Sequence, residues 1–161
     1  MSYSLLQRSL TGCAIVYLEV SNYNVATSVG DAVQFTTATD LVGSSAASYS
    51  FSNGVVTLPS GYWYWVKGTP QCRFSDYAGY ARYQWQTSSG TAQGRRGTLI
   101  TQETAQLFGG DDIACCLIDA TSTSQNIKLV YDTLSNVTNT SNDFYPTYAG
   151  MTRAEIWRLD P

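Results

Sequence analysis

The chain has 161 residues, a formal net charge of −3 and no histidine. This length suits one domain whose core needs neither metal nor disulfide support. Without histidine there is no Ser-His-Asp or Cys-His catalytic group and no histidine metal ligand. Nine basic residues, spread along an acidic chain, argue against a partner that is a nucleic acid. No stretch approaches the roughly 20 apolar residues of a membrane span.

The composition favours β-structure. Charged residues make up 13% of the chain, about half of the usual share of roughly 25%. Their place is taken by 18 Ser, 19 Thr and 12 Tyr, and β-branched and aromatic side chains pack well on a pleated sheet. No segment keeps a 3.6-residue period. We therefore expect an all-β protein with almost no helix.

Short apolar runs, separated by Gly, Ser, Asn and Asp, predict about eight to ten strands. The main predicted strands occupy residues 13–20, 32–37, 55–58, 62–66, 73–86 (one strand or a bulged pair), 98–102, 113–118, 125–132 and 153–159. Asn53-Gly54 predicts a tight turn, and residues 87–97 are polar and Gly-rich, which predicts a surface loop. The elements fit one two-sheet antiparallel β-sandwich at 12–161, preceded by an arm at 1–11.

The run Tyr62-Trp63-Tyr64-Trp65-Val66 is bulky at every position. A strand of this kind is covered on both faces or lies in an interface. The run therefore marks either a doubly covered strand or a contact with another subunit.

The cysteines and carboxylates do not predict a chemical site. The four cysteines are Cys13, Cys72, Cys115 and Cys116, and we favour the reduced state for all of them because no export signal is evident. Cys115 and Cys116 would point to opposite faces of a strand. No cysteine pair has zinc-ligand spacing, and no carboxylates are paired as in a glycosidase. We expect a non-enzyme without cofactor or metal.

Three segments together resemble the tumour-necrosis-factor/C1q-like jelly roll, and their order covers about residues 12–160. In the first, a strand enters Pro59-Ser60-Gly61-Tyr62 and continues into the aromatic run. In the second, a Gly-Asp turn at residues 109–112 precedes the apolar run 113–118. The third is the closing strand, 154–159.

The resemblance implies a homotrimer whose inner sheet packs around a threefold axis. It places residues 62–66 and 113–118 on or behind that sheet. The candidate trimer-interface residues are Tyr62, Trp63, Tyr64, Trp65, Ile113, Leu117, Ile156 and Trp157.

Such domains also occur in bacteriophage particles, as capsid decoration (cement) proteins and as fibre tips. We expect a virion structural protein, made in the host cytoplasm, that binds the major capsid protein on the outer capsid surface and stabilises it. The jelly roll begins within about a dozen residues of Met1 and reaches the C-terminus, so we expect no fibre shaft. A secreted signalling ligand is disfavoured because the N-terminus has no apolar core of signal-peptide length.

The alternative is a tail-fibre or head-fibre tip that binds a host-surface glycan through loops 87–97 and 135–143. Arg95 and Arg96 are candidate contacts with an acidic partner, or simply a basic loop tip. Leu5 and Leu6 belong to an arm that docks onto a neighbour or is a frayed terminus.

Overall fold

A computed structural model describes residues 14–19, 28–43, 46–73, 79–100, 107–109, 112–135 and 153–160. The strands in these residues are β1 Ala14–Glu19, β2 Thr37–Val42, β3 Ser50–Ser52, β4 Val55–Leu58, β5 Tyr62–Thr69, β6 Gln71–Arg73, β7 Tyr80–Thr87, β8 Ala92–Ile100, β9 Leu107–Gly109, β10 Ala114–Ala120, β11 Gln125–Ser135 and β12 Arg153–Leu159. Within the same residues, helix is confined to one 3₁₀ turn at Ala46–Ser48. Helices long and apolar enough to cross a membrane do not occur in this part of the chain.

Ten strands form a curled antiparallel sheet that divides into two halves. The first sheet has the order β2-β1-β12-β5-β10 and the second has the order β8-β7-β11-β4-β3. They join where Arg95 of β8 pairs with Cys115 of β10. β6 and β9 form a separate two-stranded ribbon. The chain passes repeatedly from one sheet to the other, for example from β4 to β5 and from β10 through β11 to β12. This is the arrangement of a jelly-roll β-sandwich, so the predicted fold class is confirmed.

The core lies between the two sheets and is rich in aromatic side chains. Trp85 of β7 is fully buried, and its indole N–H donates to the carbonyl of Ala114 at 3.3 Å. Its ring stacks on Phe35 with centroids 6.3 Å apart. Gly68 leaves room for this ring, because a Cβ there would lie 3.0 Å from Trp85 Cζ2 and 2.8 Å from Leu129 Cδ2.

Most predicted strands are present with nearly the predicted bounds, but the predicted strand 32–37 is wrong. The second strand is Thr37–Val42 instead. Of residues 32–35, Ala32 makes a single bridge to Val130. Val33 and Phe35 are nevertheless buried. The apolar pattern therefore predicted the burial of Val33 and Phe35 correctly but placed the strand too early in the chain.

The two turn predictions had different outcomes. Asn53 and Gly54 have φ angles of 51° and 75°, the two positive values of a type I′ hairpin turn, so that prediction is confirmed. The loop predicted at residues 87–97 is wrong, because β8 begins at Ala92. Gly94, with φ +63°, comes so close to β10 that a Cβ would lie 2.4 Å from Cys116 Cβ. Gly94 therefore belongs to the bulged part of β8, the strand that joins the two sheets.

Candidate functional site

Exposed apolar side chains are concentrated on the first sheet. Among the described residues, seven large hydrophobic side chains are exposed. All but Val29 lie on or directly beside strands of the first sheet, and these six are Leu41, Val42, Trp65, Ile113, Leu117 and Leu159. Single exposed hydrophobic residues are ordinary, whereas a contiguous group on one face marks an interaction surface. The outward face of the first sheet is therefore the candidate site.

Strand register aligns five apolar side chains in a row across that face, and three of them belong to the exposed group. We call it the apolar row; its members are Val42 (β2), Ile15 (β1), Trp157 (β12), Trp65 (β5) and Leu117 (β10). Each directly opposes the next across neighbouring antiparallel strands. With strands about 4.8 Å apart, the row is roughly 19 Å wide. Val42 is 41% exposed, Trp65 is 38% exposed and Leu117 is 51% exposed, so both ends of the row and Trp65 contact solvent.

The eight residues predicted for the interface divide between the two faces of the first sheet. Those on its outward side are Trp63, Trp65, Ile113, Leu117 and Trp157. Tyr64 and Ile156 are 0% exposed, and Tyr62 packs against the core. Because successive side chains of a strand point to opposite faces, these three lie behind the outward face. We correct their assignment from interface to core.

The hydroxyl of Tyr64, on the core side of β5, has a hydrogen-bond partner although it is buried. Its hydroxyl donates to the carbonyl of Pro59 at 3.0 Å. Burial, together with the nearby Tyr49, raises the pKa of the Tyr64 hydroxyl well above its ordinary value. Tyr64 therefore stays a neutral donor within the core, whereas its neighbour Trp65 faces solvent.

A charged cluster lies beside the apolar row. We call it the Lys67 cluster, comprising Lys67, Glu155 and Trp157. Lys67 Nζ is 2.7 Å from Glu155 Oε2 and 5.1 Å from the centroid of the Trp157 ring. The Trp157 indole N–H also donates to Glu155 Oε2 at 3.1 Å. One carboxylate oxygen therefore accepts from both partners.

The surroundings of Glu155 act in opposite directions on its pKa. Partial burial raises the pKa, but the hydrogen bonds from Lys67 and Trp157 lower it, as do the charges of Lys67 and Arg153. The net effect is a pKa below the ordinary value of 4.5. The carboxylate is therefore ionised and paired at neutral pH.

Arg95 and Arg96 do not form the free basic loop tip that was considered. Both lie in the bulged part of β8. Arg95 Nη2 is 2.7 Å from Asp112 Oδ1, and Arg96 Nε is 2.6 Å from Asp132 Oδ2. Their charges are thus partly neutralised within the chain. They remain candidate partner contacts as a prediction.

Several earlier predictions fall outside the described residues. These concern the arm at 1–11, including Leu5 and Leu6, and most of the loop at 135–143. Of the cysteines, Cys115 and Cys116 are both free and lie on opposite faces of β10, as predicted. Clusters of three or more side chains suited to a metal ion do not occur in the described residues.

Sequence reasoning missed Ile15, Val42, Lys67 and Glu155 as members of this face. Ile15 was part of a predicted strand, but its outward orientation depends on the register with β12. Val42 lies outside every predicted strand. Alternation within residues 153–159 was the available signal for Glu155, since it places Glu155 on the same side as Trp157.

Comparison with known proteins does not assign this chain to a family. No protein-family model matches the chain, and no curated protein matches it. Among solved structures, the chain is similar to a crystal structure of murine APRIL, with 11% sequence identity and a TM-score of 0.43. That alignment covers 91% of this chain and 99% of the murine chain. The jelly-roll assignment therefore rests on the strand order.

Proposed function

We propose that this chain is a non-enzymatic structural protein that forms a homotrimer through the outward face of the first sheet. The observation that carries the proposal is the apolar row, of which Trp65 and Leu117 are neighbouring exposed members. Aromatic side chains are enriched in interface cores. If one edge of the face on each subunit contacts the opposite edge of the face on the next subunit, and successive subunits are related by a rotation of a third of a turn, three copies form a closed ring.

The net charge of the face supports a second copy as its occupant. The described side chains on its outward side, including the corner where β8 meets β10, carry three cations and three carboxylates. These are Lys67, Arg95 and Arg153, and Asp112, Asp119 and Glu155. A neutral face does not repel a copy of itself, whereas a strongly charged partner would gain little from it.

We further propose that the trimer decorates the outer surface of a bacteriophage capsid and stabilises it. The support is the resemblance to jelly-roll domains of phage particles and the Ser/Thr/Tyr-rich, His-free composition. The glycan-binding alternative depended on loops 87–97 and 135–143. The first is reduced by β8 to a tight connection, in which the Thr87 hydroxyl accepts from Thr91 N at 3.0 Å.

Deleting the gene from the virus that encodes the chain tests the capsid role. Particles without the protein should lose integrity at lower temperature or after osmotic shock, while adsorption to cells persists. Adding back purified protein should restore the stability. Unchanged particle stability with lost adsorption would overturn the capsid role and favour the glycan-binding tip. Cleavage of surface polysaccharide by the purified protein would overturn its assignment as a non-enzyme.

A further inference from the structure

The Lys67 cluster lies inside the face proposed to self-associate, although burial of charge normally opposes association. Lys67 and Glu155 directly oppose each other on β5 and β12, one row from the Trp65–Trp157 pair. Their side chains are 30% and 25% exposed in the single chain. A second copy covering the apolar row would therefore remove most of the remaining water from this ion pair.

The cluster's hydrogen bonds decide whether such burial is tolerable. A buried ion pair is tolerated when its geometry is good and its other polar atoms are satisfied, whereas a single buried charge is strongly unfavourable. Here Glu155 Oε2 accepts from both Lys67 and Trp157, and the Trp157 ring lies beside the ammonium group. The chain thus neutralises its own charges, and a partner need not supply a counter-ion.

We infer that the Lys67 cluster is an acid-sensitive control on self-association, in which the ionised Glu155 permits Lys67 to be buried between subunits. This inference rests on the proposed trimer and deepens it. When Glu155 is protonated, the pair loses its negative charge and Lys67 becomes a single cation in an apolar contact. Dissociation of the subunits then becomes more favourable, because it returns the Lys67 ammonium group to water.

The groups facing Glu155 fix the sign of the effect. Lys67 faces it from β5, Tyr17 opposes it from β1, and Arg153 lies on its own strand. The guanidinium of Arg153 is placed over the Tyr17 ring at 5.9 Å. Among the described side chains, both charged neighbours are cations, so protonation of Glu155 removes the negative charge that balances Lys67. Because the pKa of Glu155 is below 4.5, the weakening sets in below that pH and is absent at neutral pH.

The test compares the subunit dissociation of four proteins by sedimentation, at pH 7.5 and at pH 3.5 to 5. They are the wild type, Glu155→Gln, the double variant Lys67→Met with Glu155→Gln, and Asp132→Asn. Glu155→Gln mimics the protonated state at neutral pH. We expect it to raise the concentration at which the trimer dissociates by about tenfold or more.

The double variant and Asp132→Asn are the controls. The double variant removes both charges, so we expect it to remain trimeric at pH 7.5 and to resist acid better than the wild type. Asp132→Asn removes a paired carboxylate of the second sheet, whose Oδ2 is 2.6 Å from Arg96 Nε. We expect it to dissociate as the wild type does, because it lies away from the proposed contact. Circular dichroism of every variant checks that the fold is retained.

The outcomes separate this inference from the proposed function. A wild-type protein that is monomeric at every pH overturns the trimer itself. A wild-type trimer whose dissociation is unchanged by Glu155→Gln, or equally weakened by the double variant, overturns the role of the cluster and leaves the trimer intact.

Discussion

The outward faces of the two sheets differ in kind although the sheets share a core and a fold. The first sheet presents the apolar row, which includes the exposed Trp65. The second sheet presents polar cross-strand neighbours, such as Thr57 opposite Asn126 and Gln86 opposite Lys128. Thr57 Oγ1 donates to Asn126 Oδ1 at 2.9 Å. The outward face of the second sheet is therefore polar and partly hydrogen-bonded, whereas the outward face of the first sheet exposes apolar side chains.

The comparison shows that the aromatic side chains of this chain lie in two different environments. Trp85 and Tyr83 are fully buried and stabilise the sandwich. Trp65 and Trp157 project from the opposite side of the first sheet and are available for association. Along β12 the two environments belong to adjacent residues, since Ile156 is buried in the core and Trp157 lies on the outward face.

The largest effect is expected from truncating the core side of β12. Ile156→Ala should lower the free energy of unfolding by about 2–5 kcal/mol, because a buried side chain is replaced by a cavity. Trp157→Phe, its outward neighbour, should cost about 1 kcal/mol or less, chiefly the hydrogen bond to Glu155. Urea unfolding in a monomeric Trp65→Glu background measures both. Equal losses would contradict the assignment of inward and outward faces.

The next effect concerns association. Trp65→Glu places a charge within the apolar row and should weaken the trimer about hundredfold or more, because an unpaired charge is costly in an interface. Gln86→Glu places the same side chain on the outward face of the second sheet, opposite Lys128. It should leave the oligomer unchanged. Light scattering over a dilution series measures both, and equal behaviour of the two variants would remove the distinction between the faces.

How far these features could be predicted depended on whether they are local. The type I′ turn at Asn53-Gly54 and the closing strand were predictable because turn chemistry and period-2 alternation are written in adjacent residues. In the run 62–66 both alternating sets are aromatic, so the pattern could not say which set faces out. Gly94 was misassigned to a loop, since a bulge and a loop favour the same residue type.

The candidate site was predictable in part for the same reason. Trp65 and Leu117 could be named from apolar runs. The Lys67 cluster could not, because it depends on the register between β5 and β12, which are far apart in the chain. Only long-range pairing places Lys67 opposite Glu155.

A smaller effect is expected at the two adjacent cysteines. Burial, with a contribution from Cys115, raises the pKa of the Cys116 thiol to about 12. Its thiolate fraction at pH 8 is then about a thousandfold below that of a thiol with the ordinary value, and the thiolate is the reactive form. Cys116 should resist maleimide labelling in every state of the folded protein.

Cys115 lies on the outward face opposite Lys67, so self-association should slow its labelling by about tenfold relative to the monomeric Trp65→Glu variant. Mass spectrometry of the wild type, Cys115→Ser and Cys116→Ser assigns the modified thiol. Labelling of Cys115 that is independent of oligomeric state would contradict its position in the contact.

The smallest effect is expected on the second sheet. Thr57→Val removes the exposed hydrogen bond to Asn126 and should change the free energy of unfolding by less than about 1 kcal/mol. It should not change the oligomeric state. Thermal unfolding and sedimentation measure the two quantities, and a loss of trimer in this variant would show that the second sheet also takes part in association.

The central claim is that the outward face of the first sheet holds three copies together. The mass of the protein in solution at neutral pH, measured by sedimentation equilibrium, tests it most directly. The account predicts about 53 kDa for the wild type, three times the 17.6 kDa of one chain, and the mass of one chain for Trp65→Glu. A wild-type protein that stays at the mass of one chain at micromolar concentration, or a Trp65→Glu variant that stays trimeric, would contradict it.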